Sequence, residues 1–224
     1  MYYNVYKLSR LEKLNSDSHQ IFHIVKLFFL NHNIPMKYDI IICGVGGQGV
    51  LSVAFIIAKA AMGEGLEVRQ SEVHGMAQRG GAVVSHLRIS DKPIAGDLIP
   101  KSCADLIISM EPLEGLRYVS FLKTSGALVS ASEPVKNIKD YPDLNGIHSS
   151  IKKLPKFKII QSADLAKEAG FSKAVNTVMV GAASGFLPIK EEALEKTIAE
   201  TFANKDPKAN VKAFKLGLGA AKEK

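Results

Sequence analysis

Apolar and polar residues follow one another along this chain in blocks that predict strands and helices in turn. Residues 38–43 are mostly apolar, with three consecutive isoleucines, as is typical of a strand buried on both faces of a parallel sheet. Residues 50–61 form a longer apolar block that Gly63 follows, which predicts a helix. Because such blocks keep alternating, we expect an α/β fold with a mostly parallel sheet and helices on both faces.

Two predicted strands follow each other without a helix between them. A short strand over residues 65–69 leads into residues 71–81, a polar, glycine-punctuated segment that we predict to be a loop. The next strand, residues 82–89, alternates apolar and polar side chains from Val84 onward, which predicts one solvent-facing side. Strands spaced this closely predict a partly antiparallel edge of the sheet.

The remainder of the chain again alternates strands with helices. Residues 131–156 hold three prolines and are predicted to be irregular. The other predicted strands are residues 105–110, 127–130 and 157–160, and the predicted helices are residues 113–122, 162–170, 176–183, 190–202 and 211–221.

The turn after the first strand, residues 44–49, fits the pattern G-x-G-x-x-G. Its place between a strand and a helix is the context that this motif requires, and it indicates a Rossmann-like sheet. Glycines let the backbone approach a ligand closely, and the free N–H groups at the helix start attract anions. The motif therefore predicts a phosphate-bearing ligand, or else only a tightly packed turn. The candidate residues are Gly44, Gly46, Gly47, Gln48 and Gly49.

The polar segment supplies a second set of candidates. In an open α/β sheet the ends of the first strands share one edge, so this segment and the glycine turn are expected to face each other. An arginine there can clamp a carboxylate or phosphate, and a histidine can shuttle a proton or serve as a structural hydrogen-bonding residue. We expect one of its paired glycines to adopt a positive φ. The residues selected are Glu72, His74, Gln78, Arg79, Gly80 and Gly81.

Length and composition limit the alternatives. The 224 residues are 46% hydrophobic, which suits one α/β domain with additions. Residues 1–35 lack the pattern that follows, so we predict an N-terminal extension, possibly non-native or an appended helix, ahead of a functional domain over residues 36–224. The apolar run at residues 21–30 is too short to span a membrane.

Charge and cysteine content exclude further classes. The net charge is +7, mostly from residues 151–224, and such a surface can attract nucleic acid, an acidic protein or a phosphorylated cofactor. No basic–aromatic motif of a nucleic-acid module accompanies it, and a solvated lysine face is the favoured interpretation. We expect neither nucleic-acid nor membrane binding. Cys43 and Cys103 are the two cysteines, fewer than the four thiolates that an iron–sulfur cluster requires. Two unpaired thiols without a secretory signal predict a cytoplasmic protein.

Taken together, residues 44–49 and 71–81 resemble the gamma-type domain of the pyruvate and 2-oxoacid:ferredoxin oxidoreductases. The sequence of residues 72–81 most resembles that of the beta subunits of indolepyruvate ferredoxin oxidoreductases. The strand end at residues 110–112 and the helix at residues 174–181 also match. The resemblance covers most of residues 37–221.

The resemblance implies a subunit of an oxidoreductase that is inactive alone. That family converts a 2-oxoacid, coenzyme A and oxidised ferredoxin to an acyl-CoA, CO2 and reduced ferredoxin. It implies that thiamine diphosphate and [4Fe-4S] clusters lie on a partner subunit, which passes electrons to ferredoxin. This chain would bind no cofactor firmly and hold no catalytic residue, but would help to form the approach for the co-substrate coenzyme A. Indolepyruvate and other aryl pyruvates are the implied substrates.

Two other classes stay open at this point. The glycine motif alone is compatible with a stand-alone nicotinamide-dependent dehydrogenase, which needs an acidic ribose ligand at the end of the second strand. Gln70 and Ser71 stand there, with Glu72 just beyond. The other class is a non-enzymatic binding protein with the same fold.

Overall fold

A computed structural model describes residues 36–74 and 80–222 of the chain, with the backbone alone for His74. The predicted N-terminal extension lies outside this range, and the compact unit begins at Lys37. The strands are β1 (Lys37–Val45), β2 (Glu67–His74), β3 (Ala82–Ser90), β4 (Ala104–Ser109), β5 (Leu122–Ala131) and β6 (Phe157–Ile160). The described helices are α1 (Val50–Gly63), α2 (Pro112–Arg117), α3 (Leu144–Ile151), α4 (Ser162–Glu168), α5 (Val175–Ser184), α6 (Glu191–Thr201) and α7 (Pro207–Lys222), with one 3-10 turn at Val119–Phe121.

The six strands form one sheet in the order β2-β3-β1-β4-β5-β6. Strands β1, β4, β5 and β6 pair in parallel, whereas β3 pairs antiparallel with both β1 and β2. Because β2 and β1 both run opposite to β3, their carboxyl ends lie at the same edge of the sheet. The predicted α/β fold, mostly parallel with an antiparallel edge, is confirmed.

Both faces of the sheet are covered, as the isoleucine run of β1 predicts. Ile41 belongs to a buried cluster that also contains Ile147 and Ile151 of α3. Ile40 and Ile42 point to the opposite face and are equally buried, at 0% exposure. Helix α1 packs on β1, β2, β3, α5 and α6, while α2 packs on β1, β4, β5 and α3.

Helices α5 and α7 cross at unusually close range through two glycines. A Cβ atom at Gly181 would lie 2.0 Å from the Phe214 carbonyl oxygen, and one at Gly217 would lie 2.0 Å from that of Val178. Only hydrogen side chains let these backbones touch. This contact sets the position of α5, whose amino end reaches the glycine turn.

Strand β3 does not have the solvent-facing side that its alternating sequence predicts. Residues 84–90 are all buried, because helix α1 packs on β3 and residues 96–99 contact its polar side chains. His86 and Arg88 have internal partners, whereas the Ser85 hydroxyl has no hydrogen-bond partner in the described residues. Arg88 Nε donates to Asp39 Oδ1 at 2.9 Å, and His86 Nδ1 accepts from the Ile99 N–H at 3.1 Å.

Two predicted irregular stretches contain regular structure. Residues 71–74 continue β2, because each pairs with β3 in unbroken register, so the loop is shorter than predicted. Within residues 131–156, α3 forms because the Asp143 carboxylate accepts from the Gly146 N–H at 3.0 Å and caps its first turn.

The predicted helix over residues 113–122 is also wrong in its second half. Helix α2 ends at Arg117, one 3-10 turn follows, and Leu122 already begins β5. Strand β5 is therefore longer than residues 127–130. Its first residues pair irregularly, since the register with β4 shifts between Ala104 and Leu106.

Candidate functional site

The glycine turn joins the carboxyl end of β1 to the amino end of α1. The Gln48 N–H donates to the Val45 carbonyl at 3.1 Å and closes the turn. Gly47 and Gly49 have φ angles of 101° and 84°, which L side chains rarely adopt. Gly46 and Gly49 are half-buried and Gly47 is exposed. The turn therefore presents backbone to solvent at the edge of the sheet where β1 and β4 end, which we call the ligand edge.

Gly44 lies within β1 and is buried under the turn. A Cβ atom there would come within 2.8 Å of Met110 Cβ and 2.9 Å of Gln48 Oε1. The first glycine of the motif therefore allows close packing of the turn against the end of β4.

Gln48 holds the turn in place through its side-chain amide. Its Oε1 accepts from the Val45 N–H at 2.7 Å, and its Nε2 donates to the Met110 carbonyl at 2.8 Å. The oxygen and one N–H of this amide are thus engaged by the protein itself. Gln48, like the buried Gly44, therefore makes its described contacts with the protein itself.

The paired glycines Gly80 and Gly81 form a corner next to the glycine turn. The Gly46 N–H donates to the Gly81 carbonyl at 2.8 Å, so the expected approach of the two segments is confirmed. Gly80 has a φ of 78°, which confirms the prediction of a positive φ in this pair. The Gly80 carbonyl accepts from Asn137 Nδ2 at 2.8 Å, which ties a third segment, residues 132–143, to the same edge.

The remaining candidates from the polar segment are not placed in the turn. Glu72 is exposed on β2 and pairs with Ser85, so the whole of β3 separates it from β1. His74 ends β2 opposite Val83. The side chain of His74 and the residues Gln78 and Arg79 lie outside the described part of the chain.

Asn137 and Asn176 contact the site although the sequence did not single them out. Asn176 lies in the first turn of α5, and its Nδ2 would be 3.2 Å from a Cβ atom at Gly49. Its Oδ1 accepts from the Thr177 N–H at 3.0 Å. The sequence signal for Asn176 is an asparagine at the start of a helix of small residues. Asn137 offers no such signal, because it lies in an irregular segment.

Glu111, at the end of β4, anchors residues 132–143 over the ligand edge. Its carboxylate is buried and accepts from the Glu114 N–H at 2.8 Å, which caps α2. The other carboxylate oxygen accepts from the Val135 N–H at 3.4 Å and from the Tyr141 hydroxyl. Because a buried carboxylate needs such donors, this network fixes the segment that carries Asn137.

Burial raises the pKa values of two groups beneath the edge, Cys43 and Glu114. Burial raises the pKa of the Cys43 thiol to about 12, so Cys43 is not a nucleophile. Burial also raises the pKa of Glu114, Arg117 opposes this, and Glu111 adds to it. The Glu114 Oε2 atom has no hydrogen-bond partner in the described residues. Cys43 and Glu114 are both buried in the protein.

Apolar side chains flank the same edge on its solvent side. Leu51 and Phe55, one turn apart at the start of α1, are 41% and 51% exposed. Ile138, one residue beyond Asn137, is 39% exposed. Glycine backbone beside exposed apolar side chains suits a surface that another protein covers.

The family described as pyruvate ferredoxin/flavodoxin oxidoreductase matches residues 39–220. This chain belongs to that family. It is 38% identical over 195 residues to the indolepyruvate oxidoreductase subunit IorB of Archaeoglobus fulgidus, covering 83% of this chain and 96% of the relative. It is 37% identical over 198 residues to the IorB subunit of Thermococcus kodakarensis, with 84% and 97% covered. The resemblance found in the two glycine segments is thereby confirmed.

A solved structure of the same family shares the architecture. The gamma subunit of a keto/oxoacid ferredoxin oxidoreductase from Geobacter sulfurreducens superposes with a TM-score of 0.59 at 27% identity, covering 82% of this chain and 98% of that one. As a member of this family, the chain combines the Rossmann-like turn with an antiparallel strand beside β1. None of its described helices has the length and apolar content that a bilayer span requires.

Proposed function

We propose that this chain is the subunit without cofactors of a 2-oxoacid:ferredoxin oxidoreductase that acts on indolepyruvate or other aryl pyruvates. The complex decarboxylates the 2-oxoacid oxidatively, transfers the acyl group to coenzyme A and passes two electrons to ferredoxin. The IorB relatives, which match over nearly their whole length, support this substrate class.

Thiamine diphosphate and the [4Fe-4S] clusters are assigned to the partner subunit. The donor set of this chain favours that assignment, since two cysteines cannot supply the four thiolates of a cluster. Cys43 is in addition fully buried in β1. The partner therefore carries the carbanion and electron-transfer chemistry, and this chain contributes binding and orientation.

The observation that carries the proposed role is the hydrogen bond between Gly46 and Gly81. It holds the glycine turn beside the corner at Gly80, directly after Arg79 in the sequence. Backbone N–H groups at a helix start and an arginine guanidinium are both suited to an anion. The anion we propose is a phosphate of coenzyme A, or a carboxylate of the partner subunit at the same edge.

Leu51, Phe55 and Ile138 support a protein contact around that edge. An exposed leucine, phenylalanine and isoleucine beside a glycine-rich edge are more consistent with burial in a complex than with a surface that stays in water. We therefore expect the partner subunit to cover this side of α1.

A stand-alone nicotinamide-dependent dehydrogenase is less favoured by the sheet order. In a dinucleotide-binding fold the strand beside β1 runs parallel to it and ends in the ribose ligand. Here β1 has the parallel strand β4 on one side, but its neighbour on the side of β2 is β3, which is antiparallel and presents its amino end at this edge. Glu72, the acidic candidate, lies one strand farther away.

Co-expression with a thiamine- and cluster-bearing subunit tests the proposal. The purified complex should reduce a viologen dye when indolepyruvate and coenzyme A are supplied, and omission of either should stop the reaction. The 224-residue chain alone should be inactive under the same conditions. Viologen reduction by the isolated chain, or tight NADH binding by it, would refute the subunit assignment.

A further inference from the structure

An open groove of about 870 Å³ runs along β6, the terminal strand of the sheet on the side away from β2. Phe157 and Ile159 of β6 lie along its floor. Lys152, directly after the end of helix α3, lies on one wall, and Lys215 of helix α7 lies on the other. The α7 wall also contains Gly219, so it leaves space above the strand.

Within the part of the chain that the structure describes, the floor of the groove is a free edge of the sheet. The Leu128 N–H donates to the Lys156 carbonyl at 3.1 Å, and the Ser132 N–H donates to the Ile160 carbonyl at 2.8 Å. These bonds turn the backbone groups of alternate β6 residues toward β5. The N–H and C=O groups of Phe157 and Ile159, between them, therefore point outward into the groove.

The charge of the groove is positive. Lys152 is exposed on one wall, and the Lys215 side chain is 59% exposed on the other. Lys215 Nζ contacts Glu195 Oε1 at 2.9 Å, but this pair is open to solvent and is readily exchanged. Of the residues that line the groove, Glu168 alone is acidic.

We propose that this groove binds an extended acidic segment of another protein, which adds to β6 as a seventh strand. Outward backbone groups at strand spacing supply the hydrogen bonds of strand addition. Neighbouring residues of an added strand point to opposite faces, so two adjacent carboxylates reach Lys152 and Lys215 at once. Lysines beside a free edge discourage pairing between copies of a basic chain, and an acidic strand removes that repulsion. This interaction does not depend on the proposed enzymatic role.

The first test uses the blocked peptide acetyl-Val-Thr-Glu-Glu-Thr-Val-amide and the isotope-labelled full chain. NMR titration should shift the amide signals of Phe157 and Ile159 at millimolar peptide. The double variant Lys152→Gln/Lys215→Gln should bind roughly threefold to tenfold more weakly, since two exposed ion pairs are lost. The matched variant Lys139→Gln/Lys173→Gln, at exposed lysines outside the groove, should bind as the unaltered chain does.

The second test separates strand addition from simple charge attraction. Two versions of the peptide carry N-methyl groups on alternate amides, in the one set or the other, and have the same charge. A methyl group blocks a backbone hydrogen bond only where the amide faces β6, so one version should bind and the other should not. Equal binding of the two versions, absence of any shift at Phe157 and Ile159, or a shift that arises only after residues 1–35 are deleted would each overturn the proposal.

Discussion

Gln48 is hydrogen-bonded to Met110 across the carboxyl edge of the sheet, from Nε2 to the main-chain carbonyl, at 2.8 Å. The same amide accepts from the Val45 N–H at 2.7 Å, so one side chain joins the glycine turn to the ends of both β1 and β4. The conformation of the turn therefore depends on a neutral amide with one donor and one acceptor in these places. A side chain that lacks either the N–H donor or the oxygen acceptor of Gln48 loses one of these two hydrogen bonds.

We predict that Gln48→Glu destabilises the protein. The carboxylate keeps an acceptor for the Val45 N–H but places negative charge against the Met110 carbonyl, which costs about 1–3 kcal/mol in the free energy of unfolding. Denaturant unfolding measures this. The matched change Gln70→Glu, at an exposed position on β2, should stay within about 0.5 kcal/mol. Equal effects of the two changes would show that the hydrogen bonds of the Gln48 amide do not stabilise the protein.

Gly80→Ala tests the corner beside the turn. A Cβ atom at Gly80 would meet no atom of the described residues within 4 Å, apart from its chain neighbours, so the expected cost arises from the φ of 78°. We expect a loss of about 1–2 kcal/mol in unfolding free energy. Gly185→Ala is the control, because that site is equally open and has a φ of −67°. It should be neutral or slightly stabilising, and a similar loss there would contradict the strain argument.

The close crossing of α5 and α7 predicts opposite results for two glycines of one helix. Gly217→Ala puts a methyl group 2.0 Å from the Val178 carbonyl oxygen and should cost about 3 kcal/mol or more, because two backbones must separate. Gly219→Ala meets nothing within 4 Å and should stabilise α7 by up to about 1 kcal/mol. Thermal and denaturant unfolding compare them, and a tolerated Gly217→Ala would mean that the helices are farther apart.

His86 should make stability depend on pH. Burial, with Arg88 nearby, lowers its pKa below the usual 6.5, and its Nδ1 accepts from the Ile99 N–H. The unfolded chain therefore binds a proton before the folded one does. Stability should fall as the pH drops through 6.5 toward the folded pKa, by at most about 1.4 kcal/mol per pH unit. His86→Gln, which keeps an acceptor, should lose this part of the fall, whereas an NMR titration with a pKa of 6.5 or above for His86 would be contrary to the prediction.

Sequence reasoning located the parts of the site that depend on local pattern. The buried β1, the glycine turn and the positive φ at Gly80 follow from apolar runs and glycine spacing, which act within a few residues. The polar residues of strand β3 favour a solvent-facing side when the sequence is considered alone. The burial of His86 and Arg88 depends on Ile99 and Asp39, which lie far away in sequence and provide the partners.

The contacts that complete the edge were beyond local pattern for the same reason. Asn137 reaches Gly80 only because Glu111 and Tyr141 fix the segment between β5 and α3. Asn176 reaches Gly49 only because α5 packs on α7 through paired glycines. The Asn137–Gly80 and Asn176–Gly49 contacts each join residues more than 50 positions apart in the sequence. Periodicity and propensity therefore carry no information about these two contacts.

Arg79 is the remaining residue on which the proposed anion site depends. It precedes the Gly80 corner, which the Asn137 and Gly46 contacts hold beside the glycine turn. We predict that Arg79→Ala weakens the binding of coenzyme A, or of the partner subunit, roughly tenfold to a hundredfold in the assembled enzyme, because a charge-assisted hydrogen bond is lost. Titration of each ligand against the complex measures both affinities.

Arg79→Lys separates the shape of the side chain from its charge. Lysine keeps the positive charge but cannot form the paired N–H bonds of a guanidinium. If Arg79 holds a phosphate or carboxylate in a fork, the lysine variant should fall well short of full affinity. If charge alone matters, the lysine variant should have almost full affinity. Arg69→Ala and Arg69→Lys, at an exposed arginine on β2, control for general loss of positive charge. Unchanged affinities and turnover in both Arg79 variants would make the residue part of an ordinary surface loop, and the anion site would then rest on the glycine turn alone.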